Sequence, residues 1–238
     1  MPNDLAADKF LLDQDAVPIN LGGVKICSPM MSVFQILLGL HVLGGSVALL
    51  VGPIPMLARK GGSLHRKAGL VFCIVLGCGS VSAFVLAIAV HNDLLLTIAV
   101  LTAFLILSGM RAVRFKRGAN PSWMDEVAHL SLACFGGWLL WRSVSPLDVT
   151  GLFFGVGSLA LAGRQWQLQH TSRPDWLLAH IAGMGGAYLA TVTAFLVVNF
   201  SFLPKPITFI VPTVIGTVFI TWASIHHAAR PNRQVVTV

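Results

Sequence analysis

The chain has 238 residues, of which 55% are hydrophobic and only 11% charged, with a formal net charge of +7. Soluble domains carry about 25% charged residues, so this composition excludes an ordinary soluble globular protein and points to lipid as the solvent. The basic surplus does not indicate nucleic acid, because it sits in short loops beside apolar stretches, where it orients helices and meets anionic headgroups.

Taken in chain order, residues 1–31 form a polar tail with Asp4, Asp8, Asp13 and Asp15 and no basic segment ahead of an apolar core. This tail is expected to be retained and to lie outside the membrane. Seven apolar stretches follow, at residues 32–57, 69–90, 94–115, 127–143, 150–168, 174–200 and 206–228. A helix of about 20 residues crosses a hydrocarbon core of about 30 Å. Their unbroken apolarity favours helices over barrel strands, which alternate and run only about 10 residues. The expected fold is all-α: a polytopic transmembrane bundle of seven helices over residues 32–228, followed by a cytoplasmic tail at 229–238. The four cysteines, Cys27, Cys73, Cys78 and Cys134, form no C-x-x-C pair and read as packing residues.

Positive charge sets the orientation. Arg59, Lys60, Arg66, Lys67, Arg111, Arg114, Lys116, Arg117, Arg164, Arg173, Arg230 and Arg233 fall on one side, against Lys9, Lys25, Arg142 and Lys205 on the other. Basic residues stay cytoplasmic. The N-terminus is therefore expected outside and the C-terminus inside. Arg59, Lys60, Arg66 and Lys67 lie in a glycine-containing loop with His65, a position suited to anionic lipid headgroups.

Eight histidines stand out in so apolar a chain. His41 lies nine residues into its stretch, roughly 14 Å deep at 1.5 Å per residue. Polar groups at that depth usually face the bundle interior. In the sixth stretch His180, Met184, Tyr188 and Thr191 share one helical face. In the seventh, Thr213, Thr217, Thr221 and Ser224 do the same and lead toward His226 and His227. The segments His41–Leu49 and His180–Tyr188 resemble each other in His, Gly and Ala spacing, either by chance or as an inverted repeat.

Three uses of these polar groups compete. They are hydrogen-bonding contacts between helices; a cofactor set of His41, His180, Met184 and Tyr188 for haem b, or a transition-metal set of His41, His65 and His180; or the lining of a solute path through Thr191, Thr213, Thr217 and Thr221. Hydrogen bonding between helices is the commonest use of such groups, and among the functional readings the metal or haem one leads. A small-solute permease lined by the sixth and seventh helices, or a structural or assembly protein, is the alternative. Hydrolase, P-loop and dinucleotide signatures are absent from the sequence. Whether the chain is an enzyme, and whether it forms a homo-oligomer, stays open.

Several of these residues also carry a resemblance. His41, Gly45, Leu49, Gly52-Pro53, Lys60-Gly61 and His65-Arg66-x-x-Gly69 resemble an uncharacterised bacterial family of multi-spanning membrane proteins, of the domain of unknown function 2306 type. The likeness continues through Gly109-x-Arg111, His180-x-x-x-Met184, Ala187-Tyr188, Thr193-Ala194-Phe195, Asn199 and Pro212-x-x-x-Gly216, over roughly residues 35–220. Many members carry His-Arg-x-Trp-Met before a later helix. This chain has Ser122-Trp123-Met124 without the His-Arg, followed by His129. The resemblance implies a bacterial cytoplasmic (inner) membrane location and no particular activity.

The charge asymmetry makes one direct prediction. A reporter fused after Val238 should be active in the cytoplasm, and periplasmic alkaline phosphatase activity from the same fusion would reverse the topology.

Overall fold

The computed structural model describes residues 28–170, 175–200 and 202–228. The expectations for Lys9, Lys25 and Cys27, for Arg173, and for the C-terminal tail with Arg230 and Arg233 fall outside the described residues, as does the side chain of His227. Among the described residues the chain is all-helical: α1 (Ser28–Val51), α2 (Pro53–Leu57), α3 (Ser63–Ala89), α4 (Asp93–Phe115), α5 (Trp123–Val144), α6 (Val149–Gln169), α7 (Trp176–Asn199) and α8 (Lys205–Ala228). Helices α1 and α2 are one apolar stretch broken at Gly52-Pro53, where the proline has no N–H to continue the ladder.

Five segments are long and apolar enough to cross a membrane: Val33–Leu57, Ser63–Ala89, Asp93–Phe115, Trp176–Asn199 and Pro206–His226. Helices α5 and α6 are of similar length but more polar. Their polar residues lie at the ends that meet, since α5 opens with Asp125, Glu126 and His129 and α6 closes with Gln165, Gln169 and His170. The outer surface of the helices carries many large apolar side chains, with Leu50 75%, Leu130 65%, Val198 76% and Phe219 63% exposed. Water would penalise such a surface and lipid does not.

Helices α1, α3 and α5 start four to six residues earlier than the apolar pattern indicates, and the last two bear on the site. Helix α3 begins at Ser63, so His65 and Arg66 stand in its first turns and not in a loop. Gly61, at φ +75°, turns the chain into it. Helix α5 begins at Trp123 behind a capping box, in which Ser122 and Asp125 each bond the other's main-chain N–H. Apolarity marks where a helix enters hydrocarbon, whereas capping marks where it begins.

Helices α1, α3, α4 and α7 form a four-helix unit. Helix α1 packs on α3, α3 on α4, and α4 on α7. The buried core runs through Ala48, Phe72, Leu76, Leu105 and Ala187. Helices α5 and α6 pair with each other alongside α4, and α8 packs on the outside of α7. Helices α3 and α7 lie across the unit from each other, with no Cα pair within 8 Å among the described residues. The space between them is bridged by side chains alone.

Without a hydrophobic drive between helices in lipid, close backbone contact carries much of the packing. The tightest case is α4 on α7. A Cβ added at Gly183 would stand 2.5 Å from the Gly109 Cα and 2.8 Å from the Leu105 carbonyl oxygen. Gly183→Ala should therefore destabilise the detergent-solubilised protein by about 1–3 kcal/mol, the usual cost of overpacking. Gly163→Ala, which meets nothing within 4 Å, should leave the thermal midpoint unchanged. Equal midpoints for both variants would refute the contact.

Candidate functional site

The break at Gly52-Pro53 sets up the site. Pro53 cannot donate to the Leu49 carbonyl, and Tyr188 on α7 donates to it instead, at 3.4 Å. Helix α2 ends at Leu57, which leaves its last carbonyls without helical donors. Lys60 caps two of them, donating to the Pro55 carbonyl at 3.2 Å and to that of Met56. The Pro55 carbonyl also accepts from His65 Nδ1–H at 2.8 Å. Partial burial here pulls the Lys60 ammonium pKa below its ordinary value.

His65 is held by this carbonyl at the start of α3 and faces His180 across the space between α3 and α7. The two rings lie 6.3 Å apart, centre to centre, at 62°. His180 Nδ1–H donates to the Gly109 carbonyl on α4 at 2.8 Å. Further along the same space Cys73 Sγ meets Met184 Sδ at 3.9 Å, and Phe72 meets Tyr188 at 6.3 Å between ring centres. Imidazoles, sulfurs and aromatic rings thus stand in succession between two helices that touch only through side chains.

The hydrogen bonds decide the tautomers. A carbonyl only accepts, so a neutral ring bonded to it through Nδ1 carries its proton there and keeps a lone pair on Nε2. His65 and His180 both have this arrangement. Neither Nε2 is bonded to any of the described residues. A metal-ligating histidine is commonly oriented by such a bond from its other nitrogen.

The structure brings together only part of the expected set. His180, Met184 and Tyr188 share the space between α3 and α7, and His65 joins them. His41 does not. Its Nδ1–H donates to the Gly79 carbonyl at 3.0 Å, and Gly79 lies fourteen residues beyond His65 on α3, about 21 Å along the axis. His41 and His180 nevertheless share a local role. Each donates to a glycine carbonyl of a neighbouring helix, and a glycine three residues later packs at that contact, Gly44 at Gly79 and Gly183 at Gly109. The likeness between the two segments is at least a shared helix-contact motif.

The threonine stripes do not line one interior. Thr191 is buried and bonds its own helix at the Ala187 carbonyl, 3.0 Å away. Thr213 likewise bonds Phe209 at 2.7 Å. Thr217 and Thr221 are exposed on the outer side of α8. Helix α8 turns Gly216 and Ile220 toward α7, against Leu189 and Gly185. His226 stacks on Trp222 of its own helix. Arg59, Arg66 and Lys67 remain exposed beside the site.

A second polar centre, which apolar patterning does not reveal, surrounds Arg111. Its guanidinium binds both oxygens of Asp125, one at 2.7 Å, the Ser122 hydroxyl, and Met124 Sδ at 3.7 Å. The side chains of Arg111 and Asp125 are only 11% and 2% exposed. This network ties Gly109-x-Arg111 to the Ser122-Trp123-Met124 element. The Glu126–His170 bond of 2.6 Å and the Gly136–Ser158 contact set the α5–α6 register. That register brings Asp125 and His129 of α5 to the same end of the helix pair as Gln165 and Gln169 of α6, all four buried. The signal available in the sequence was the coincidence of Asp125 and His129 with Gln165 and Gln169 at the two helix ends that must meet.

No protein-family model, no curated protein and no solved structure matches the chain. Among the described residues no three His, Cys, Asp or Glu side chains converge as a ready metal cage.

Asp125 stands in the capping turn ahead of the apolar stretch of α5. Burial works to raise its carboxyl pKa, but the bonds from Arg111 and Ser122 outweigh this and hold it below the ordinary value. The pair's contribution is therefore full above the unfolded carboxylate pKa of about 4 and is lost as pH falls through the lower folded value. Arg111→Ala, which strands a buried carboxylate, should cost about 3–5 kcal/mol, and the doubly apolar variant Arg111→Met/Asp125→Leu clearly less. Thermal unfolding across pH checks both. A single variant milder than the double would contradict the pairing.

Proposed function

We propose that the chain is a seven-span membrane protein, N-terminus outside and C-terminus cytoplasmic, that holds a metal centre between His65 and His180. The metal is haem iron or a single transition-metal ion. The observation that carries this reading is the pair of imidazoles fixed through Nδ1 by main-chain carbonyls and facing each other inside a four-helix unit. Bundle cores place metal and cofactor ligands on facing helices in this way.

The spacing supports it. Two imidazoles held through Nδ1, with rings this close, would be within reach of one metal ion through their Nε2 atoms. The rings are 6.3 Å apart. Haem would be held by His65 and His180 through Nε2 and would supply one-electron redox chemistry there. A bare ion would draw further on soft donors such as Met184 and Cys73, which meet close by.

Seven spans are supported by the apolar parts of α5 and α6, residues 127–143 and 150–168, which at 1.5 Å per residue reach about 25–29 Å, close to a hydrocarbon core of about 30 Å. Orientation is supported by the charge asymmetry. The bacterial inner membrane is supported by the resemblance above. The permease reading loses support because Thr217 and Thr221 lie on the outer surface.

Protein purified from haem- and metal-replete cells tests the reading by absorption spectrum and elemental analysis. A Soret band would identify haem, and a stoichiometric metal without it would identify a bare ion. His65→Ala and His180→Ala should each abolish binding, whereas His41→Ala should retain it. Absence of both haem and metal, or binding that survives loss of both His65 and His180, would overturn the proposal.

A further inference from the structure

A groove with a cavity volume of about 390 Å³ opens on the side of the bundle between α3, α4 and α5. It is almost wholly apolar. Val100, Ala103 and Leu107 of α4 form one wall, Trp123 and Ala128 of α5 the other, and Phe84 of α3 lies at its far end. Helices α3 and α4 are both apolar enough to cross a membrane, so the medium facing this groove is hydrocarbon. Trp123, at one rim, is 74% exposed. An exposed tryptophan beside a membrane span marks the level of the headgroups.

The α4 wall leads to unpaired positive charge. Arg114 lies eleven residues beyond Ala103, within about 20° of the same helical face at 3.6 residues per turn. It stands about 10 Å beyond Leu107 at 1.5 Å per residue. Arg114 and Arg117 are exposed, and among the described residues neither makes an ion pair. Arg111, nearer the groove, is committed to Asp125 and holds Met124, also a groove residue, in place. From Arg114 down to Ala99 the distance is about 22 Å, the reach of one lipid leaflet with its headgroup in a core of about 30 Å.

We propose that this groove is a binding site for one anionic phospholipid, with an acyl chain between α4 and α5 and the phosphate at Arg114 and Arg117. The apolar walls select a hydrocarbon chain. The free guanidiniums select a negative headgroup, which arginine binds through paired N–H donors. Trp123 sits where glycerol meets acyl chain. The site is separate from the histidine pair between α3 and α7, and its test does not depend on whether a metal is bound.

The full chain in detergent, offered equal amounts of dioleoylphosphatidylglycerol and dioleoylphosphatidylcholine, is read by native mass spectrometry. The protein should retain one phosphatidylglycerol, at least fivefold in preference to phosphatidylcholine. Ala103→Phe, a change at an exposed position, fills the groove and should remove retention of both lipids. Ala128→Leu narrows it from the opposite wall and gives a second reading should the first variant misfold. Arg114→Gln/Arg117→Gln should keep a retained lipid but lose the preference for phosphatidylglycerol. Retention unchanged in folded groove variants, or an unchanged headgroup preference without the two arginines, would overturn the site.

Discussion

Within hydrocarbon, a polar group finds its partner inside the protein or has none, and this constraint organises the whole molecule. The break at Gly52-Pro53 shows how. A proline inside a spanning segment frees a carbonyl, and a short helix end frees more. The chain answers with Tyr188, Lys60 and His65, each drawn from elsewhere to those oxygens. The interruption between α1 and α2 is thereby tied to α7 through Tyr188 and to the start of α3 through His65. The histidine pair is thus a consequence of how the backbone is satisfied, and its geometry belongs to the bundle and not to a mobile loop.

Glycine contacts complete that geometry. Gly183 and Gly109 bring α7 and α4 into backbone contact, close enough for His180 to reach the Gly109 carbonyl. Gly44 and Gly79 do the same for α1 and α3, with His41 as the donor. One device is used twice, yet only one copy has a second imidazole facing it. What distinguishes His180 from His41 is the diagonal gap between α3 and α7, which leaves room for side chains where adjacent helices leave none. Two residues beyond Gly109, Arg111 clamps the entry to α5, so a single turn of α4 joins the histidine pair to the buried ion pair.

Much of the helical architecture was legible in the sequence, because each apolar stretch is long, and the described helices cover all seven. His65 and His180 were legible as unusual polar residues. Their partnership was not, because it depends on α3 beginning at Ser63, inside a segment whose charges read as a loop. The threonines of α8 misled for a physical reason. A hydroxyl that bonds its own helix one turn back, as Thr213 does with Phe209, is already satisfied and needs no interior to face. Asp125 is missed for the opposite reason. It stands just ahead of the apolar stretch at 127–143, and only the meeting of α5 and α6 beside α4 buries it against Arg111.

The central claim is that His65 and His180 are locked through Nδ1 and offer Nε2. Nitrogen-15 NMR of histidine-labelled, metal-free protein in lipid at neutral pH reads this directly, with each signal assigned by its His→Gln variant. The account predicts the Nδ1–H tautomer for both rings, with an unprotonated Nε2 that changes its shift when metal or haem is added. The Nε2–H tautomer on both rings, or shifts indifferent to every metal offered, would contradict it.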